Sequence, residues 1–137
     1  MLIDTNIIIE IAFNQKRAEE CKKLLNAIDQ RAFEKEVYVT RFALSAIEAM
    51  SSKQPPNFLR EFLLLILEDK IKIFDLKVED DLMVNSVHSD LGLDFDDAVQ
   101  YVAANRLGTW LITLDKDFKS KGLIVKTPAE VLKEILA

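Results

Sequence analysis

MLIDTNIIIE, residues 1–10, runs from a β-prone apolar triplet through a carboxylate into the first turns of an apolar helix. Strand, acid, helix is the start of a βα unit, and the rest of the chain repeats it. Short β-rich runs recur at LID (2–4), VYVT (37–40), IKIF (71–74), WLITL (110–114) and LIVK (123–126). Helical patterns occupy the intervals, at 6–13, 15–31, 41–52, 56–69, 78–91, 97–107 and 128–136. Strands that are solidly apolar and separated by helices imply a parallel sheet covered on both faces. The expected fold is α/β, a three-layer α/β/α arrangement around a central, mainly parallel sheet of about five strands.

Punctuation agrees with this division. Gly92 follows SVHSDL and Gly108 follows AANRL, each where a helix needs a C-terminal cap. Pro55, Pro56 and Pro128 stand at helix starts, where a missing N–H is least harmful. Thr127 and Glu130, in TPAE, form a capping-box pattern.

Bulk composition narrows the class. The chain has 137 residues, half of them hydrophobic and 30% charged, which suits a single soluble domain over 1–137. Its one cysteine, Cys21, has no internal disulfide partner, so a reduced, cytoplasmic protein is expected. No apolar run approaches the roughly 18 residues of a membrane span, and the N-terminus lacks a signal-peptide pattern. A net charge of −5 speaks against broad electrostatic binding of nucleic acid, although a formal charge omits any bound metal.

In parallel sheets, ligands bind beyond the carboxyl ends of the strands. Acids gather there in this sequence. Asp4 ends the first strand; Asp115 ends WLITL, with Asp117 close behind; Asp94, Asp96 and Asp97 form LDFDDA at the start of a helix. Glu48 lies about two turns into the helix after VYVT. Taken singly, most have a plain structural account. Asp4 caps the following helix, Asp96 or Asp97 caps 97–107, Asp117 caps a short turn and Asp115 forms one. Glu48, flanked by Ile47 and Ala49, either lies on a narrow exposed stripe or points inward to a partner such as a cation.

Taken together, such carboxylates repel one another unless something offsets them. Mg²⁺ or Mn²⁺ does so, because hard cations take oxygen ligands. The lone His88 and Cys21 supply no softer donor set and are read as incidental. A cation in an acidic pocket polarises a phosphoryl oxygen and generates a hydroxide nucleophile, so the chemistry suggested is phosphodiester hydrolysis.

LIDTN at the N-terminus, the glutamate of TRFALSAIEAM, DDAVQYVAA and LITLDKDF together resemble a PIN domain, specifically the VapC-like toxins. The resemblance runs end to end and includes LIVKTPAEVLKEIL. It implies a Mg²⁺- or Mn²⁺-dependent endoribonuclease with Asp4, Glu48, Asp97 and Asp115 as its catalytic acids. Asp4, Asp97, Asp115 and the accessory Asp117 are the implied metal ligands. Thr5, Asn6 and Thr113 fall where the family has small polar residues that orient the site. Asp97, directly before Ala98, is preferred to Asp96, and Asp94 reads as a helix-approach residue. The resemblance further implies a homodimer and a small antitoxin partner whose tail puts a basic residue into the acidic pocket. The apolar segment FLREFLLLIL (58–67) suits either a dimer face or a deep core position.

Arg41, Lys116, Lys119 and Lys121 stand beside these acids and either contact RNA phosphates or are solvated surface residues. Phe95, Phe118 and Trp110 are assigned to the core. Three other readings compete. A phospho-receiver switch would use Asp4, an acceptor Asp75, Thr113 and Lys126, but leaves Glu48, Asp97 and Asp115 idle. A dehalogenase-type phosphatase would use the D-x-D of LITLDKDF, which lies near the wrong end of the chain. A PIN-like domain that binds RNA or a partner without cutting it would need no intact acidic set.

Overall fold

A computed structural model describes residues 1–51 and 56–136; Ser52, Pro55 and Ala137, on which parts of the expected helices and boundaries fall, lie outside the described residues. In chain order the elements are β1 (Leu2–Ile3), α1 (Thr5–Ala12), α2 (Ala18–Asp29), β2 (Tyr38–Thr40), α3 (Arg41–Met50) and α4 (Pro56–Leu67). There follow β3 (Lys72–Phe74), α5 (Val78–Leu91), α6 (Phe95–Leu107), β4 (Leu111–Ile112), a 3₁₀ turn (Lys116–Phe118), β5 (Val125–Lys126) and α7 (Pro128–Leu136).

The sheet has five strands in the order β3-β2-β1-β4-β5, and every pairing is parallel. β1 is central, with Leu2 paired to both Tyr38 and Leu111. Chain direction through the sheet reverses beside β1, which opens a crevice at its carboxyl end.

Alternation along each strand divides the core in two, because successive side chains leave opposite faces. Ile3, Val39 and Ile112 point to one face and meet Ile7, Leu24, Leu44, Phe62 and Val131, which belong to α1, α2, α3, α4 and α7. Leu2 and Leu111 point to the other face and meet Val84, Val99 and Val102 from α5 and α6. Each of these buried aliphatic side chains contributes about 2 kcal/mol through lost contact with water. The expected α/β/α layering is therefore present.

Caps fix the element ends. Gly108 takes the left-handed conformation (φ 61°) that ends α6, and Thr127 and Glu130 form the expected reciprocal capping pair on α7. α5 and α6 are tied by Arg106 and the buried Asp80 at 3.0 Å. The α6 start differs from expectation: the helix begins at Phe95, not 97, with Asp94 as cap accepting from the Asp97 N–H at 2.9 Å. Neither Asp96 nor Asp97 is the cap. WLITL also pairs over fewer residues than expected, because the Leu114 N–H is taken by the Asn6 side chain.

Phe118 is fully buried. Trp110 packs only partly against the core, and the Lys35 and Lys126 ammoniums stand 3.7 and 4.1 Å from its ring centre. Phe95 is not in the core at all. It is 55% exposed, at the first position of α6, where it meets only the half-exposed Phe42 of α3 edge-on. Cys21 is buried in α2, and burial pushes its thiol up to about 12. α4 buries Phe62 but leaves Leu64 and Leu67 exposed. Among the described residues, no helix is long and apolar enough to cross a membrane.

Candidate functional site

The carboxyl ends of β1, β2 and β4 carry Asp4, Thr40 and Thr113, all buried. Asp4 stands in the cap position of α1, yet its side chain does not cap the helix. It is held instead by two neutral donors. The Thr113 hydroxyl donates to Oδ2 at 2.7 Å, and the Gln100 amide of α6 donates to Oδ1 at 3.1 Å. Thr113 in turn accepts from the Asn6 amide and from the Asp115 N–H, both at 3.0 Å. Gln100 accepts from the Thr40 hydroxyl at 2.9 Å, and Thr40 also caps α3 by accepting from the Ala43 N–H. Thr5 Oγ1 lies 3.4 Å from the Gln100 amide.

This chain of hydrogen bonds joins three strands and α6 into one frame, and no buried side-chain polar atom among the described residues lacks a partner. A satisfied buried network fixes orientation, since any other rotamer leaves a group unpaired. Burial raises the Asp4 carboxyl above its ordinary range, and the Thr113 and Gln100 hydrogen bonds only partly offset this.

Around Asp4 stand three further carboxylates. Asp97 comes from the first turn of α6; Asp115 and Asp117 come from the turn after β4, where Asp115 caps the turn by accepting from the Asp117 N–H at 2.8 Å. Asp115 is thus the cap, a role expected of Asp117. Asp97, Asp115 and Asp117 each offer an oxygen, and these oxygens lie within 4.8 Å of one another. The set includes Asp97 and leaves out Asp96, and it also leaves out Asp4, the remaining expected ligand. Partial burial, then the charges of Asp94, Asp4 and Asp115, push the Asp97 carboxyl up to about 7.

Such a group fits a small divalent ion. Mg²⁺ holds oxygens at about 2.0–2.1 Å, so opposite ligands of one ion stand roughly 4.2 Å apart. The carboxylates are partly exposed, leaving room for the waters that Mg²⁺ keeps.

Glu48 follows the exposed-stripe alternative. It lies on the solvent side of α3 and pairs with Arg41 at 3.6 Å, each about half exposed. Lys116 and Lys119 are exposed in and after the 3₁₀ turn, and form no ion pair among the described residues. Asp75 follows β3, at the sheet edge, with β2 between it and the Asp4 strand, and Lys126 is engaged by Glu134. The acids that a phospho-receiver requires therefore do not converge. His88 donates from Nδ1 to the Leu93 carbonyl, a structural contact between α5 and the next loop.

Gln100 and Thr40 were missed in the sequence. The available signal was spacing: Gln100 lies three residues after Asp97, on the same helix face, and Thr40 ends a strand just as Asp4 does.

A doubly wound parallel sheet with a carboxylate group at its switch point defines the class of protein. Its family follows from comparison: the PIN domain family model matches residues 1–123, and the chain belongs to the PIN domain family. Solved structures agree on the fold. A toxin–antitoxin complex from Klebsiella pneumoniae is 21% identical, covers 93% of this chain and 96% of its own, and superposes with a TM-score of 0.70. VapBC2 from Rickettsia felis, bound to a promoter DNA fragment, is 17% identical with coverages of 92% and 96% and a TM-score of 0.67. VapC20 of Mycobacterium tuberculosis, a Sarcin-Ricin loop cleaving toxin, is 12% identical with coverages of 90% and 95% and a TM-score of 0.71. No curated protein sequence matches the chain.

Proposed function

We propose that this protein is a Mg²⁺- or Mn²⁺-dependent endoribonuclease, the toxin of a toxin–antitoxin pair, working in the cytoplasm as a single domain over residues 1–137. The observation that carries this is the group of three carboxylates, Asp97, Asp115 and Asp117, set beside the buried Asp4 at the switch point of a PIN-family sheet. Structures similar in fold are toxin–antitoxin complexes, and one is a toxin that cleaves the Sarcin-Ricin loop.

Asp4, Asp97, Asp115 and Asp117 would hold the cation. When bound, it would neutralise charge on the scissile phosphate and bring the pKa of a water into reach of neutral pH. The protein's own residues have separate tasks. Thr113 and Gln100 hold the two oxygens of Asp4, and Asn6 and Thr5 in turn hold Thr113 and Gln100. Asp115 and Asp117 are held close together by the turn they cap. Glu48 serves as the fourth catalytic acid by leaving Arg41, and an ion pair this exposed is worth only about 0–1 kcal/mol, so the exchange is easy. Arg41, Lys116 and Lys119 contact backbone phosphates and supply locally the positive charge that the acidic chain lacks overall.

An antitoxin and a second copy of the chain complete the proposal. Both need apolar surface, and Leu64 and Leu67 of α4 with Val78 and Leu82 of α5 provide it. The test is cleavage of a mixed RNA pool by purified protein with Mg²⁺, with Mn²⁺ and with EDTA, beside Asp97→Asn. Metal-dependent cutting that the variant lacks is the expected result. Cutting by Asp97→Asn at the parent rate would overturn the assignment of the site.

A further inference from the structure

Phe95 and Phe42 form an exposed pair, 55% and 38% open to solvent, with ring centres 6.0 Å apart and planes at 68°. They border a cleft of about 270 Å³ that is also lined by Thr40, Arg41, Asp75 and Asp81. The cleft neighbours the acidic centre in two ways. Thr40 belongs both to its wall and to the hydrogen-bonded frame around Asp4. Phe95 lies between Asp94 and Asp97 in the first turn of α6.

Besides the aliphatic Leu76 and Val99, the lining has three chemistries at once: aromatic faces, a guanidinium and two exposed carboxylates. An apolar protein surface would satisfy the phenylalanines but would strip water from Arg41, Asp75 and Asp81 without replacing it. A nucleotide meets all three. Its base stacks on aromatic rings, its phosphate accepts from the guanidinium, and its base edge donates to carboxylates, which only accept. Guanine alone presents two adjacent donors on its Watson–Crick edge, N1–H and N2–H, matching the two oxygens of one carboxylate. Adenine and cytosine offer one donor beside an acceptor, and uracil sets its one donor between two acceptors.

Resting on the ribonuclease proposal above, the geometry points to a base-binding subsite: the Phe42–Phe95 cleft takes an unpaired guanine of the RNA next to the bond being cut. Phe95 stacks on the base while Phe42, inclined at 68° to it, meets the base edge-on; Asp75 or Asp81 reads the base's edge, and Arg41 holds its phosphate.

The test separates this from the nuclease proposal by reading binding as well as cutting. Fluorescence anisotropy with Mg²⁺ compares two labelled unpaired RNAs, a uridine run and the same run with one guanine. It uses the full chain carrying Asp97→Asn, with and without Phe42→Leu and Phe95→Leu. Leucine keeps apolar bulk, so a protein interface would survive while stacking would not. The guanine RNA is expected to bind about tenfold tighter than the uridine run, with that preference lost in Phe95→Leu and weakened in Phe42→Leu. Asp75→Asn and Asp81→Asn tell which carboxylate reads the base. Equal binding of the two RNAs, no RNA binding at all, or a preference unchanged in both leucine variants would overturn the subsite. A chain that binds guanine RNA through Phe95 but cuts nothing upholds the subsite and refutes the nuclease. One that cuts with kcat/KM unaltered by Phe95→Leu does the reverse.

Discussion

Replacing Asp97 by asparagine removes one negative charge from a crowded group while keeping size and hydrogen-bonding capacity. The carboxyl titrates at about 7 in the fold against an ordinary 3.8, so the native state holds a proton that the unfolded chain has released across that window. Stability must then fall as pH rises from about 4 to 7, and the penalty is fully present above 7. At about 1.4 kcal/mol per pH unit the gap amounts to roughly 4 kcal/mol. Asp97 is only partly buried, and solvent screening reduces this to about 1–2 kcal/mol. In EDTA at pH 8, Asp97→Asn is therefore expected to melt about 4–6 °C above the parent, with the difference vanishing near pH 4. Saturating Mg²⁺ should reverse the order, because ligand at about 100 times its Kd adds about 2.7 kcal/mol to the protein that binds it. Differential scanning calorimetry at pH 4, 6 and 8, with EDTA or MgCl₂, reads all of this. Equal melting temperatures at pH 8 without metal, or a gap independent of pH, would refute the account of the acidic group.

Gln100→Leu leaves the Thr40 hydroxyl and one Asp4 oxygen without their buried partner, and should lower stability by about 2–3 kcal/mol in urea titrations followed by Trp110 fluorescence. The same variant should lose most cleavage activity, whereas Gln100→Glu should also add a fifth carboxylate to Asp4, Asp97, Asp115 and Asp117 and fold less stably than the leucine variant above pH 7. Cys21, buried and shifted to about 12, should react with a thiol reagent only as fast as the protein opens, and at full speed in denaturant. Phe118→Ala empties a fully buried position against α6, with an expected loss of about 3–5 kcal/mol measured by the same urea titration.

The layers of the fold were legible because the apolar runs are short, dense and separated by helical periodicity, and that pattern has one economical packing. Element ends were harder. WLITL looks like five paired residues, but the Leu114 N–H goes to Asn6, a competition that depends on how β1 and β4 lie together. α6 starts early because Asp94, not one of the pair that follows, supplies the capping oxygen. Carboxylates at strand ends and in a helix's first turn announce themselves, so Asp4, Asp97, Asp115 and Asp117 could be singled out. Gln100 could not, since an amide in a helix reads as a surface residue until α6 is known to cross the ends of β1 and β2. Phe95 misled for the opposite reason. Its spacing from Ala98, Val99 and Val102 places it on the buried stripe, yet the layer ends before it does.

Partners in the frame around Asp4 lie far apart along the chain: Asp4 meets Thr113 across 109 positions and Gln100 across 96, while Thr40 meets Gln100 across 60. A ribosome delivers them in order. Through most of its synthesis the emerging polypeptide carries Asp4 on a strand with no β4 neighbour and no helix to donate to it. The acids cannot be gathered until Asp115 and Asp117 have been made. A chain interrupted before that point, by stalling or by a premature stop, releases fragments with an unfinished pocket. The ribosome that makes this protein is thus never beside an assembled centre before residue 117 has been added.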